Sequence, residues 1–276
     1  MANGEAALPG VSDEVLDRVR SVLAAKSRGL FTDVDGTISA IAPTPEQAVL
    51  LPGVAELLRR ARDVFGVVAA VSGRSAQDTA RMVGVPGLTY IGNHGFERVE
   101  PEGERVVLPE ALQYEPAVAA VMTQVGKRLA QRFPGLRLEP KGATASIHVR
   151  GTADPAAAEE AAYQTATELA EPRGLRVTRG KLVVELRPPV NMDKGAAVED
   201  VIRRHGLRGA IYLGDDRTDL DAFRALRRLE AAGVCRGVAV AVLHAEAPAE
   251  LADEADLTLA SVEQVPAFLR WLLANA

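Results

Sequence analysis

Short apolar runs recur along both ends of this chain with stretches of helical period between them, and that alternation is what most restricts its fold. The runs are Gly29-Leu30-Phe31-Thr32, Gly66 to Val71, Leu88 to Ile91, Ala210-Ile211-Tyr212-Leu213, Val238 to Val242 and Asp256 to Leu259. Between and after them, Pro52 to Arg62, Ala76 to Met82, Lys194 to His205, Asp219 to Leu229 and Val262 to Leu273 read as helices. A strand apolar on both faces must be covered on both faces, and short strands joined by helices achieve this in a parallel sheet. The expectation is an α/β fold with a doubly wound, Rossmann-like parallel sheet. Ser12, Asp13 and Glu14 would cap a further helix carrying Val15, Leu16, Val19 and Leu23, while residues 1–12 are small and polar and are expected to be disordered.

The segment 111–187 breaks the alternation. It reads as a helix (Ala117 to Arg132), two strands (Leu136 to Glu139 and Ala143 to Val149), a second helix (Pro155 to Glu171) and two more strands (Leu175 to Val177 and Leu182 to Leu186). Helix, strand, strand, repeated once, describes an α+β unit on an antiparallel sheet, inserted as a cap domain into a core made of residues 13–110 and 188–276. Its strands alternate in character. Ala143, Ala145, Ile147 and Val149 share one face and Thr144, Ser146, His148 and Arg150 the other, as Leu182, Val184 and Leu186 oppose Lys181, Val183, Glu185 and Arg187. Two helices can cover only the apolar face, which leaves the polar face to water or to the core.

A chain of 276 residues with 47% hydrophobic content can bury a sizeable core. Its net charge of -5 offers no basic footprint for nucleic acid or an anionic membrane. No apolar run approaches the roughly 18 residues of a membrane span, and the N-terminus lacks a basic leader. One cysteine, Cys235, excludes an internal disulfide, so a reducing cytoplasm is the simple expectation. Nothing in the sequence distinguishes a monomer from a weak oligomer.

Chemistry concentrates where the strands end. Asp33-Val34-Asp35-Gly36-Thr37 follows the first apolar run, placing two carboxylates at the carboxyl end of a strand, where open α/β sheets bind ligands. One carboxylate can accept a phosphoryl group if a divalent cation screens the repulsion, and a second can carry the leaving-group proton. Asp and Gly are also common turn residues. Gly214-Asp215-Asp216-Arg217-Thr218-Asp219 forms a second acidic cluster after another strand; it suits a hard oxygen-seeking ion such as Mg²⁺, or equally an acidic helix start. Val71-Ser72-Gly73-Arg74 offers a hydroxyl and amides at a helix N-terminus. Lys194 opens a helix at the positive end of its dipole, an unfavourable place for a cation without a task. A phosphate needs such donors, a cation and a metal at one point.

The order of these four elements resembles the haloacid dehalogenase-like phosphohydrolase superfamily over residues 29–95 and 190–260. The resemblance implies Asp33 as nucleophile, Asp35 as general acid/base, and Ser72 and Lys194 as phosphate ligands. It implies Mg²⁺ held by Asp33, the Asp35 backbone carbonyl and Asp215, with Asp219 in support; the part played by Asp216 stays open.

The insertion resembles the cap of the sugar-phosphate branch, and within that branch the chain is similar to trehalose-6-phosphate phosphatases. The likeness rests on Gly92-Asn93-His94-Gly95, Leu138-Glu139-Pro140-Lys141-Gly142, Ser146-Ile147-His148-Val149-Arg150, Gly180 to Pro188, and Gly214 to Asp219 followed by Asp221-Ala222-Phe223. It implies a small-molecule sugar phosphate as substrate, with Glu139, Lys141, Glu185 and His148 as sugar ligands and Arg74, Asn93 and His94 as further substrate contacts. Leu220 departs from the family, which commonly has an acidic residue there, and Asn93 occupies a variable position. His205 and His244 read as surface residues. Other sugar phosphatases, acting on sucrose phosphate, mannosyl-glycerate phosphate or a hexose phosphate, fit the same motifs. A sugar-phosphate sensor, a mutase and a dehalogenase complete the alternatives.

Overall fold

A computed structural model of the chain describes residues 11–42, 47–180 and 182–276. The expectation of disorder for residues 1–12 thus falls almost wholly outside the described residues, as does the placing of Lys181 on the cap's polar face. Ser12 caps α1 (Asp13–Leu23) by accepting the Val15 amide on its Oγ. The chain divides into two compact units, Met1–Val106 with Met192–Ala276, and Val107–Asn191.

The first unit is built in chain order from α1, β1 (Arg28–Asp33), α2 (Val54–Arg62), β2 (Val67–Val71), α3 (Ala76–Val83), β3 (Thr89–Gly92), β4 (Glu97–Val99) and β5 (Arg105–Val107). The second unit, described below, contributes α4 to α6 and β6 to β9. The first unit resumes with α7 (Lys194–Arg204), β10 (Gly209–Gly214), α8 (Asp219–Ala231), β11 (Arg236–Val242), α9 (Ala249–Glu254), β12 (Leu257–Leu259) and α10 (Val265–Ala274). Its sheet runs β12-β11-β10-β1-β2-β3-β4-β5. The strands from β12 to β3 pair in parallel, and β4 turns antiparallel on β3. The β4 and β5 strands extend the sheet beyond what the apolar runs predict.

Side-chain alternation along each strand sorts the core into two layers. Leu30, Val68, Ile211 and Val238 point to one face, where Leu16 and Val19 of α1, Leu57 and Leu58 of α2 and Phe268 and Leu272 of α10 cover them. Phe31, Ala69, Tyr212 and Ala239 point to the other, under Val198 and Ile202 of α7 and Phe223 and Leu226 of α8. At roughly 1.5–3 kcal/mol for each large buried apolar side chain, these two layers hold the strand ends in fixed register. That register sets Thr32 opposite Leu213 and Asp33 opposite Val71. The chain goes one way from β1 to β2 and β3 and the other way to β10 and β11, so β1 and β10 flank the switch point where doubly wound sheets bind ligands. Cys235 lies buried in the second layer, where burial pushes its thiol up to about 11.

The second unit contains α4 (Pro109–Leu112), α5 (Glu115–Leu129), β6 (Arg137–Pro140), β7 (Ala145–His148), α6 (Pro155–Ala170), β8 (Arg176–Gly180) and β9 (Val183–Arg187). Its sheet is antiparallel in the order β6-β7-β9-β8. Ala145, Ile147, Val184 and Leu186 pack against Val118, Val121 and Val125 of α5 and Ala158, Ala162 and Ala166 of α6. The small alanines of α6 let that helix lie close on the sheet.

Candidate active site

Four segments of the first unit meet beyond the carboxyl ends of β1 and β10. Asp33, the last residue of β1, is buried, and Lys194 Nζ donates to its Oδ1 at 2.6 Å. The same ammonium donates to Asp219 Oδ1 at 2.7 Å. Asp219 also accepts from Tyr212 Oη at 2.7 Å on Oδ1, and from the Asp215 and Asp216 amides at 3.0 Å on Oδ2. Four donors therefore fix one fully buried carboxylate, which ties the strand end of β10 to the first turn of α8. Lys194 is placed by the cap of its own helix, where Asp193 Oδ1 accepts the Ala196 amide at 2.7 Å.

The electrostatics follow from burial. Burial pushes Asp33 well above the usual carboxylate range; Lys194 pulls it back, while Asp219, Asp215 and Asp216 add repulsion. Burial similarly raises Asp219 to about 7 against the pull of Lys194. For Lys194 burial works to lower the ammonium, yet attraction to Asp219 and Asp33 prevails and holds it well above the ordinary lysine range. Carboxylate oxygens of Asp33, Asp215 and Asp219 lie within 4.8 Å of one another. A buried all-oxygen set with one neutralising ammonium suits a divalent hard cation, which would relieve the remaining repulsion.

Asp215 is gripped at both oxygens. Thr37 Oγ1 donates to Oδ1 at 2.7 Å, and His244 Nε2 lies 2.9 Å from Oδ2. The expectation that His244 is a surface residue is therefore corrected: the parallel pairing of β10 with β11 carries its loop to Asp215, whereas His205 is exposed as expected. Asp216 points outward, with its side chain 53% exposed, and its Oδ1 accepts the Thr218 amide and hydroxyl at 2.8 and 2.6 Å.

Asp35 is not among the clustered carboxylates. Arg74 engages both of its oxygens, Nε to Oδ2 and Nη2 to Oδ1, each at 2.7 Å. Ser72 is buried at the end of β2 and its Oγ accepts the Arg74 amide at 3.2 Å. The loop after β3 packs against it: the His94 amide donates to the Ser72 carbonyl at 3.1 Å, and the Asn93 amide to the Arg74 carbonyl at 2.7 Å. Asn93 and His94 both hold left-handed backbone, with φ of 51° and 55°. Glu97 stabilises that unusual turn from a buried position. Its Oε1 accepts Asn93 Nδ2 at 2.9 Å and the Ala76 amide at 2.8 Å, and its Oε2 accepts Arg105 Nε at 2.8 Å.

In the second unit the register aligns Glu139 with Ser146 and Ser146 with Glu185, so the three share a row on one sheet face. His148 Nε2 lies 2.6 Å from Glu139 Oε2. Burial works to raise Glu139, but the His148 hydrogen bond and the charge of Lys141 outweigh it and hold the carboxyl down at about 2. Arg187 Nη2 donates to Glu185 Oε2 at 2.6 Å. Lys141 begins the turn between β6 and β7, where its amide donates to the Thr144 carbonyl at 2.9 Å and Gly142 takes φ of 79°.

The sequence pattern of the trehalose-phosphatase family matches residues 31–262. The chain belongs to that family. A trehalose-phosphate phosphatase of Mycobacterium tuberculosis is 39% identical over 73% of this chain and 52% of its own length. An uncharacterized glycosyl hydrolase of the same organism is 36% identical over 89% of this chain but only 18% of its own length. The chain thus spans about half, or less, of the curated relatives it matches. The C-terminal domain of Candida albicans trehalose-6-phosphate phosphatase superposes with a TM-score of 0.73 at 19% identity, covering 95% of this chain and 96% of that one, which shows the shared fold. The α/β fold with a doubly wound parallel sheet expected from the alternation of strands and helices is the fold of this family member.

For this trehalose-phosphatase family member, the structure brings Asp33, Lys194, Asp215 and Asp219 together, ties Asp35 to Arg74, and sets Ser72 beside Asn93 and His94. Glu139, His148 and Glu185 group on the second unit's sheet. Sequence reasoning missed Thr37, Tyr212, Glu97 and His244. Thr37 lay within the first motif, and a hydroxyl two residues after Asp35 was the available signal. For the other three no local pattern announces the partner.

Proposed function

We propose that the chain hydrolyses trehalose 6-phosphate to trehalose and inorganic phosphate, with Asp33 as the phosphoryl acceptor. The reading is carried by the convergence of Asp33, Lys194, Asp215 and Asp219 from β1, α7, the end of β10 and α8 in a trehalose-phosphatase family chain. The Asp33 carboxylate attacks phosphorus, the bond from phosphorus to the sugar oxygen breaks, and Asp35 gives that oxygen a proton. Asp35 then takes a proton from water, whose oxygen attacks the aspartyl-phosphate and frees phosphate and Asp33. Lys194 neutralises charge beside Asp33 throughout, and the Ser72 hydroxyl and neighbouring amides bind phosphate oxygens.

Asp33, the Asp35 carbonyl and Asp215 would hold Mg²⁺. When bound, its charge offsets the repulsion between carboxylate and phosphate. Asp219, its oxygens already engaged by four donors, supports the site rather than joining the ligands. Arg74, Asn93 and His94 belong with the substrate contacts of the first unit. Glu139, Lys141, His148 and Glu185 are proposed to read the sugar, supported by their grouping on and beside one polar sheet face. Among the described residues no helix is long and apolar enough to cross a membrane. A cytoplasmic enzyme, monomeric or weakly oligomeric, with a soluble sugar phosphate and no macromolecular partner completes the proposal.

Phosphate release across trehalose 6-phosphate, sucrose phosphate, mannosyl-glycerate phosphate and glucose 6-phosphate, each with and without a chelator, tests it. Best turnover is expected on trehalose 6-phosphate, with loss in chelator and in Asp33→Asn. Faster turnover of a monosaccharide phosphate would sink the sugar assignment, and an active Asp33→Asn would sink the covalent route.

A further inference from the structure

The loop after β11 supplies a residue to the carboxylate cluster that neither the motifs nor the proposed mechanism uses. His244 Nε2 faces Asp215 Oδ2 at 2.9 Å, and its Nδ1 accepts the Glu246 amide at 3.1 Å. The second contact settles the first. A ring nitrogen that accepts a backbone N–H carries no proton of its own, so in the neutral ring the proton sits on Nε2 and is donated to Asp215. The backbone of the same loop thus presets the ring as a donor, without requiring the ring to be charged.

Asp215 otherwise has little to hold its orientation. The terminal torsion of an aspartate is broad, so a carboxylate is aimed only by what its oxygens touch. Here Thr37 Oγ1, from the loop after β1, takes Oδ1, while His244, from the loop after β11, takes Oδ2. The two donors approach from strands on opposite sides of β10, which ends next to Asp215. The Asp215 side chain is 3% exposed and that of His244 22%, so the contact is shielded from competing water. Each Asp215 oxygen keeps a further lone pair for a ligand.

We propose that His244 is a positioning residue, which acts with Thr37 to aim the Asp215 carboxylate at a divalent cation. The inference rests on the metal reading under Proposed function. Outer partners of this kind typically contribute about 10–100-fold to metal affinity.

The test is calorimetric titration of Mg²⁺ into substrate-free protein for the native chain and for His244→Ala, His244→Leu, His244→Gln and Asp215→Asn. His244→Leu keeps bulk without a donor, and His244→Gln keeps an N–H at similar reach. Circular dichroism establishes that each variant is folded. Both donorless variants are expected to bind Mg²⁺ about 10–100-fold more weakly, His244→Gln to recover most of the loss, and Asp215→Asn to lose binding. Native affinity in both donorless variants, with binding lost in Asp215→Asn, would overturn the role of His244 while leaving the metal site standing. Weakening in His244→Gln equal to that in His244→Leu would also overturn it, because the donor would then be irrelevant. Native affinity in Asp215→Asn would overturn the metal reading and the His244 proposal with it.

Discussion

Arg74 closes a two-point bridge on Asp35, Nε to Oδ2 and Nη2 to Oδ1, both at 2.7 Å. Both oxygens accept from one planar guanidinium and each keeps a further lone pair, so the proposed acid/base role has to use the side of the carboxylate that Arg74 leaves open. The bridge also fixes where Asp35 waits. Asp35→Asn is expected to lower kcat/KM by about 10²–10⁴-fold, and Arg74→Ala by a smaller factor. If Arg74 acts through Asp35, adding Arg74→Ala to Asp35→Asn costs nothing further, because residues that work as a unit are not additive. Steady-state kinetics on the two singles and the double decide this. Full additivity would place Arg74 on the substrate independently of Asp35.

Lys194 is 2% exposed and neutralises two buried carboxylates, Asp33 and Asp219. Lys194→Met leaves both without their cation, a change that costs about 3–5 kcal/mol when one partner of a buried pair is removed. The loss should be largest in chelator and smaller in Mg²⁺, which supplies a substitute positive charge. Chemical denaturation in the two conditions measures it. A variant as stable as the native chain in chelator would show that the carboxylates are neutral there.

The strands of the first unit were legible because each buried one is an apolar run, and a run such as Val67 to Val71 has few other uses. The strands β4 and β5 were not, since Glu97-Arg98-Val99 and Arg105-Val106-Val107 are short, charged and at a sheet edge. The carboxylate cluster was legible for the same reason as the strands: Asp33 directly follows one apolar run, and Asp215 stands one glycine after another. His244 follows one too, yet a lone histidine names no partner. What gives it one is the β10–β11 pairing, which sets Gly214 opposite Ala241 and so brings two distant loops to the same level. Glu97 escaped because its partners Ala76, Asn93 and Arg105 stand at the start of α3, just after β3 and at the start of β5, and their meeting depends on the α3 helix packing beside β3 and β4.

Glu139 gives a pH test of the second unit. Its folded value of about 2 lies below the ordinary 4.5, so its contribution to stability is complete above about 4.5 and fades as pH falls toward 2. The full contribution is roughly 1–3 kcal/mol, since a tenfold change in proton affinity is worth about 1.4 kcal/mol and the side chain keeps some exposure to screening water. Carbon-detected NMR of the side-chain carboxyl should show a midpoint near 2 in the native chain. In His148→Ala, which removes the hydrogen bond, the midpoint should rise. A native midpoint at the ordinary glutamate value would refute the tight Glu139–His148 pair.

Gly36 carries two demands that no other residue meets together. Its φ of 91° lies in the left-handed region, and a Cβ built there would fall inside the Asp215 carboxylate. Gly36→Ala must therefore both strain the backbone, at about 1–3 kcal/mol, and displace Asp215 from Thr37 and His244. The expected result is a modest fall in thermal stability with a much larger loss of Mg²⁺ binding and phosphatase activity. Gly53 provides the control, because it has a comparable φ of 81° with nothing within 4 Å of a Cβ. Gly53→Ala should show the backbone cost alone and leave Mg²⁺ affinity intact. Equal Mg²⁺ affinity in the two variants would mean that the Asp215 carboxylate moves aside without consequence, and that its fixed position is not what the cation needs.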